Sequence, residues 1–407
     1  VARLFNLLIF LLIANLLGAE SLGQFVFAMT LAQTVGMLVD FGMNPILVRE
    51  AVRDGGWALF KTFATLKLGL ALVAGSTAFV LGWVIFGYRD NAALSVALAL
   101  GAIISLSYLS LLFSLIRARQ EMIYEALFTL GHRSAYLLLA LPLLLIVGHV
   151  KGVLAAYALS GLLTVVALYA FVRRRYAESG QEAIPIDRSL LGQVIPLVTI
   201  DVFTWIYLRI DALMLQTLKG YVEVGIYGAA HRLFEGLIVV PSVLAIAFFP
   251  RLVQDLANKD KSKQMRLYVL AFLCLGAVTA TALWPLSEPL LGLLYRRQDD
   301  FAASVRVFQI LLITFGVLCI NYPLTQIAIA AGRQKRYAWA VIGASAVNIG
   351  LNALVIPRYG ARGAAAVTVA TELSLTLFMH HELGRVWARF KAPRKTPDSS
   401  PVSDHVS

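Results

Sequence analysis

The chain has 407 residues, of which 59% are hydrophobic and only 14% charged, with a mean hydropathy of +0.77. An ordinary soluble domain is ~45–50% apolar and ~25% charged, so this composition excludes one. A formal net charge of +12 would point to nucleic acid if the basic residues formed one soluble face, but they sit between apolar stretches.

Those stretches number twelve: 1–18, 22–44, 60–86, 93–116, 124–147 and 152–171, then 191–218, 224–249, 267–294, 303–331, 338–356 and 364–384. Each has about the ~20 apolar residues that cross a bilayer as a helix. The first starts at Val1 with no basic segment ahead, so that helix is expected to lack its beginning. No small-residue cleavage site marks it as a signal peptide. Residues 173–188, opening on Arg173-Arg174-Arg175, read as a polar linker, and the Pro/Ser-rich tail after 391 reads as disordered. The expected units are an N-terminal six-helix lobe (1–175), a linker (176–190), a C-terminal six-helix lobe (191–390) and a tail (391–407). Cys274 and Cys319 fall inside spans and read as small buried hydrophobes.

The second six stretches repeat the first. Gly18, Gly23, Phe25, Ala28, Leu31 and Arg49 return 202 residues later as Gly220, Gly225, Tyr227, Ala230, Leu233 and Arg251. Arg119-Gln120 returns as Arg333-Gln334, and Lys151-Gly152 as Arg362-Gly363. Six crossings per copy is an even number. Both copies then enter from one side, related by an axis along the membrane normal. Of the 35 Lys and Arg, 22 fall in the even-numbered loops and the tail, taking Lys61 at the edge of the third stretch with the loop before it, and 7 in the odd-numbered loops. That bias makes the even-numbered loops and both termini cytoplasmic, and it assigns the basic excess to topology and anionic lipid.

Charges inside spans are costly, ~2.5–3.5 kcal/mol each at a helix centre, and so face a bundle interior or an aqueous cavity. In chain order they begin with Arg3, Asp40, Lys67 and Arg133. The seventh stretch carries Asp201, Arg209 and Asp211; Arg209 and Asp211 lie 200° apart on a helix, so each needs a partner elsewhere. The eighth carries His231, Arg232 and Glu235, with Glu235 within reach of both on one face. Glu372 follows near the end. Arg3, Arg49, Lys67, Arg209, Arg232 and Arg251 are candidate ligands for an anionic headgroup, with Arg133 in the same basic set, because guanidinium groups bind phosphate oxygens bidentately. Asp201, Asp211, Glu235 and His231 are candidates for a coupling proton or sodium ion, or else structural partners of the arginines. No catalytic constellation, nucleotide-phosphate loop or metal-ligand spacing occurs, so no enzyme, cofactor or metal is expected. His380-His381-Glu382 lacks the spacing of a zinc helix, and Asp299-Asp300 reads as a solvated outer loop.

Three stretches carry a family resemblance. They are Leu17-Gly18 through Gly23, Phe25 and Ala28 to Asp40-Phe41-Gly42 and Val48-Arg49-Glu50; Arg209-Ile210-Asp211 to Gly225-Ile226-Tyr227, Ala230 and Arg232; and Gly332-Arg333-Gln334. With these the chain resembles the polysaccharide-biosynthesis flippases of the multidrug/oligosaccharidyl-lipid/polysaccharide exporter superfamily. The resemblance implies an all-α membrane protein, about twelve helices in a V-shaped pair of lobes around a central cavity. It implies a polyprenyl-pyrophosphate-linked oligosaccharide as substrate, flipped across a bacterial cytoplasmic membrane by alternating access. Glycosyltransferases and a polysaccharide polymerase are the implied partners. A cation-coupled multidrug exporter of the same superfamily is the alternative, and it would want a carboxylate-dominated cavity.

Overall fold

The computed structural model describes residues 2–40, 42–54, 56–86, 91–176, 205, 209–257 and 262–391. Among these the regular elements are all α-helices: α1 (Ala2–Asp40), α2 (Met43–Asp54), α3 (Trp57–Phe86), α4 (Asn91–Ala118), α5 (Met122–Val147), α6 (Val150–Tyr176), α7 (209–219), α8 (Tyr221–Ala257), α9 (Ser262–Leu294), α10 (Gln298–Ala330) and α11 (Gln334–Lys391). Nine stretches among them are long and apolar enough to cross a membrane. Large apolar side chains lie open on their outer faces, Ile146 and Leu293 at 79% exposure and Val73 at 68%. Water would not tolerate so much apolar surface, whereas lipid tails match it. The chain is a multi-pass membrane protein. The expected linker and tail fall outside the described residues, apart from Tyr176 and Lys391 at their edges.

Two apolar stretches, Phe5–Val52 and Lys335–Glu382, run for 48 residues. At 1.5 Å per residue each would measure ~72 Å, over twice a hydrocarbon core of ~30 Å. Helices α1 and α11, which make up most of them, each contain one left-handed glycine. Gly18 (φ 83°, ψ −174°) breaks α1, and Gly360 (φ 55°, ψ −135°) breaks α11. Ile9 and Phe10, before Gly18, line the same cavity as Val26 and Met29 after it, so the arms of α1 fold back on each other. At the second break Glu223 of α8 accepts the Ala361 amide at 2.7 Å, capping the second arm of α11. A β-carbon on Gly360 would lie 2.4 Å from that carboxylate. The loop expected at 357–363 is therefore a single-residue break. The cytoplasmic loop expected after residue 44 contains a separate twelve-residue helix, α2. Asp299 and Asp300 sit in the first turn of α10, where carboxylates favour the helix N-terminus.

Helices α1 to α6 pack among themselves, as do α8 to α11, and α1 against α8 is the main join between the two sets. The duplication persists in that join. A β-carbon on Gly23 would stand 1.8 Å from the Tyr221 carbonyl oxygen, and one on Gly225 would stand 1.9 Å from that of Ala19. Residues 19 and 221, like 23 and 225, are equivalents at the 202-residue offset. The contact is thus reciprocal, as at a two-fold interface. Val26 meets Gly228, its own equivalent, in the same crossing.

Short polar ties fix the helix ends. Glu121 accepts two hydrogen bonds from Arg175, at 2.9 and 3.1 Å, and one from the Tyr176 hydroxyl, joining the α4–α5 turn to α6. Arg333 and Arg336 bond Glu382, joining the α10–α11 turn to the far end of α11. Cys319 is buried as expected. Cys274 is exposed on α9, a departure from the expected burial.

Candidate functional site

A cavity opens between the two sets of helices. Asn6, Phe10, Thr30 and Gln33 of α1, with Tyr136 of α5 and Tyr157 of α6, form one wall. Arg209 of α7 and Gly228, His231, Arg232 and Glu235 of α8 form the other.

Glu235 organises the second wall. Arg209 Nη2 lies 2.5 Å from its Oε1, Arg232 Nη1 lies 3.0 Å from its Oε2, and His231 Nδ1 lies 3.6 Å from Oε1. Two guanidinium groups face one carboxylate, so the wall keeps a net positive charge whatever the state of His231. Both arginines also lie over aromatic rings, Arg209 over Trp205 at 5.3 Å and Arg232 over Phe10 at 5.6 Å. Phe10 belongs to the opposite wall, so the Arg232 contact bridges the cavity. The two arginine side chains are 25–30% exposed and hold donors beyond the Glu235 pairs. Their ion pairs with Glu235 are nonetheless internal to the second half.

Asp211 sits behind this wall, 5% exposed. It accepts hydrogen bonds from the Tyr227 hydroxyl and, at 2.8 Å, from the Ala212 amide. Arg209 and Asp211 do find separate partners on and near α8, as their 200° separation on a helix requires. Of the candidate ion-coupling groups, Glu235 and His231 line the cavity and Asp211 does not. Asp201 and the Arg3 side chain lie outside what is described.

The other basic candidates lie elsewhere. Lys67 is fully buried within the first half. Its ammonium bonds Asp40 at 2.6 Å and the Ser107 carbonyl and hydroxyl at 2.8 Å each. All three donors are spent, so Lys67 does not reach the cavity as expected. Arg49, on α2, bonds Glu50 at 2.8 Å and is half exposed. Arg251 is exposed near the end of α8. Neither lines the cavity; both suit positive-inside anchoring. Arg133, another of the basic residues expected to line an anion-binding cavity, stands at the cavity edge. It donates to Asn6 at 2.9 Å and to the Tyr157 hydroxyl at 3.3 Å.

Known proteins share this architecture. The family described as polysaccharide biosynthesis protein matches residues 1–256. The chain belongs to that family. The MatE family matches residues 196–354. The succinoglycan biosynthesis transport protein ExoT of Rhizobium meliloti (strain 1021) is 24% identical over 307 residues, covering 72% of this chain and 60% of ExoT. The chain thus spans less than two thirds of that relative's length. The fold is shared with the lipid II flippase MurJ in an inward closed conformation (14% identity, TM-score 0.73, 94% of this chain and 86% of MurJ). It is shared too with an inward-facing multidrug resistance MATE transporter of the MOP superfamily (16% identity, TM-score 0.71, 95% and 96%).

Proposed function

We propose that this chain is a flippase that carries a polyprenyl-pyrophosphate-linked oligosaccharide from the inner to the outer leaflet of a bacterial cytoplasmic membrane. The observation that carries the reading is the cavity between the halves, where Arg209 and Arg232 outnumber Glu235. A pyrophosphate brings concentrated negative charge, and two planar guanidinium forks suit its oxygens in a low-dielectric site. The names of ExoT and MurJ, a transport protein and a lipid flippase, support the same class of work.

The halves act as two six-helix lobes, 1–175 and 191–390, rocking about the α1–α8 crossing. The separate packing of α1–α6 and α8–α11 supports that division, as does the reciprocal contact of Gly23 and Gly225. Counting both arms of α1 and of α11, and the stretch 191–218, gives twelve crossings with both termini cytoplasmic. Substrate phosphate displaces Glu235 from the arginines. The released carboxylate, beside His231, is then the natural place for a coupling proton, and sodium is the other candidate ion. Glycosyltransferases supply the substrate and a polymerase consumes it.

A cation-coupled multidrug exporter is the second reading, favoured by the MatE match over residues 196–354. The cavity's carboxylate is already engaged by two arginines, which disfavours cationic cargo. Deleting the gene separates the readings. Loss of surface polysaccharide with a lipid-linked precursor accumulating on the cytoplasmic side is expected. Normal polysaccharide together with new drug sensitivity would overturn the flippase reading.

A further inference from the structure

The first-half wall holds polar atoms that the protein itself leaves unused. Tyr136 is 2% exposed and lines the cavity, yet its hydroxyl has no hydrogen-bond partner among the described residues. Folds rarely bury a hydroxyl unpaired, since phenylalanine would fill the same space without the cost. The ring is held in place, stacked on Tyr157 with centroids 4.3 Å apart and planes at 21°. Tyr157 also stacks on His132, at 5.8 Å. Arg133 ties the wall together through its bonds to Asn6 and Tyr157, and its own Nε is buried without a partner. Three helices thus present two fixed tyrosines and an amide to the cavity, with Thr30 and Gln33 alongside.

The chemistry of this wall differs from that of its opposite. A phosphate wants donors and positive charge, which Arg209 and Arg232 supply. An organic cation wants carboxylates, and none lines this wall. Hydroxyl and amide groups both donate and accept, and tyrosine faces offer apolar area beside them. That combination matches a sugar ring, with its hydroxyl edge and its C–H face.

We propose that the α1–α5–α6 wall is a saccharide subsite, in which the Tyr136 hydroxyl and the Asn6 amide bond a sugar of the lipid-linked substrate while Arg209 and Arg232 hold its pyrophosphate. The proposal rests on the flippase reading and divides the cavity into a charge wall and a sugar wall. Arg133 is a positioning residue that acts through Asn6 and Tyr157.

Two probes separate the walls: farnesyl pyrophosphate, which has no sugar, and the lipid-linked saccharide extracted from the deletion strain. Binding of each to the purified full chain is measured for wild type, Tyr136→Phe and Arg133→Lys. Tyr136→Phe keeps the stack and loses only the hydroxyl. It should bind farnesyl pyrophosphate like wild type, bind the saccharide ~10-fold more weakly, and melt at the same or a higher temperature. Arg133→Lys, which lacks the planar fork, should shift the ratio of the two affinities the same way. Wild-type saccharide affinity in Tyr136→Phe overturns the subsite. So does an equal loss for both probes or a failure to fold, because the hydroxyl would then serve the phosphate or the structure. Wild-type protein that binds neither probe overturns the flippase reading itself, and the subsite with it.

Discussion

Lys67 spends its three ammonium hydrogens inside the first half, and its partner Asp40 is 40% exposed while Lys67 is not exposed at all. The pair is therefore lopsided. Removing Asp40 strands a charge in the interior, whereas removing Lys67 leaves a carboxylate that is only partly buried and keeps the Ser107 hydroxyl as a donor. Breaking a buried pair from the wrong side costs ~3–5 kcal/mol. Asp40→Asn should lower thermal stability markedly more than Lys67→Met, and equal losses would contradict the geometry. In the cavity, Glu235→Gln should free both arginines, tightening pyrophosphate binding and slowing its release. A weaker pyrophosphate affinity in that variant would mean that Glu235 orients the arginines rather than competing with substrate. The charges were legible in the sequence as costly residues that need a use. Which of them share a cavity was not. Lys67 and Arg209 look alike as basic residues inside spans, and only the packing of α3 against α4 separates them. Arg133 shows the converse: nothing along the fifth stretch indicates that it meets Asn6 of α1, 127 positions away.

Elements were more legible than sites, because a run of ~20 apolar residues has few other uses. The expected spans at 60–86, 93–116 and 124–147 match α3, α4 and α5 to within three residues at each end. The misses lie where one residue decides. Gly18 and Gly360 each break a long helix without a loop, and α2 adds an amphipathic turn-and-helix where only a loop was expected. The duplication was visible as repeated glycines, but not its purpose, which is the close crossing of α1 and α8. A methyl group at either Gly23 or Gly225 would collide with a backbone carbonyl. Overpacking of this kind costs ~1–3 kcal/mol. Gly23→Ala and Gly225→Ala should therefore lower the melting temperature by similar amounts, as reciprocal positions. A large loss at one and none at the other would contradict the two-fold reading. The Glu121 clamp gives a pH signature. Hydrogen bonds from Arg175 and Tyr176 hold its carboxyl below the ordinary value. A depressed carboxyl contributes stability above its unfolded value of ~4.3, and that contribution is lost as pH falls through the folded one. Glu121→Gln should flatten this acid-side loss, and an unchanged acid profile would show that the clamp carries no stability.

At the scale of the whole molecule, two similar halves enclose a cavity whose walls are dissimilar. The second half brings charge and the first brings rings and amides, so the duplicated halves have diverged where they line the cavity. The topology proposed from the Lys and Arg bias has the even-numbered loops on the cytoplasmic side. Reporter fusions after Arg173 and after Arg389 should both report the cytoplasm, and an outer-side signal from either would break the count of crossings. Movement of a pyrophosphate-linked saccharide between leaflets by the arginine wall can be measured in liposomes. The full chain is reconstituted with the lipid-linked saccharide, and leaflet exchange is followed for wild type, Arg209→Ala and Arg232→Ala at equal insertion. Exchange well above that of protein-free vesicles is expected for wild type, with a loss of tenfold or more in each variant. Wild-type exchange in both variants, or none with the wild-type chain, would contradict it.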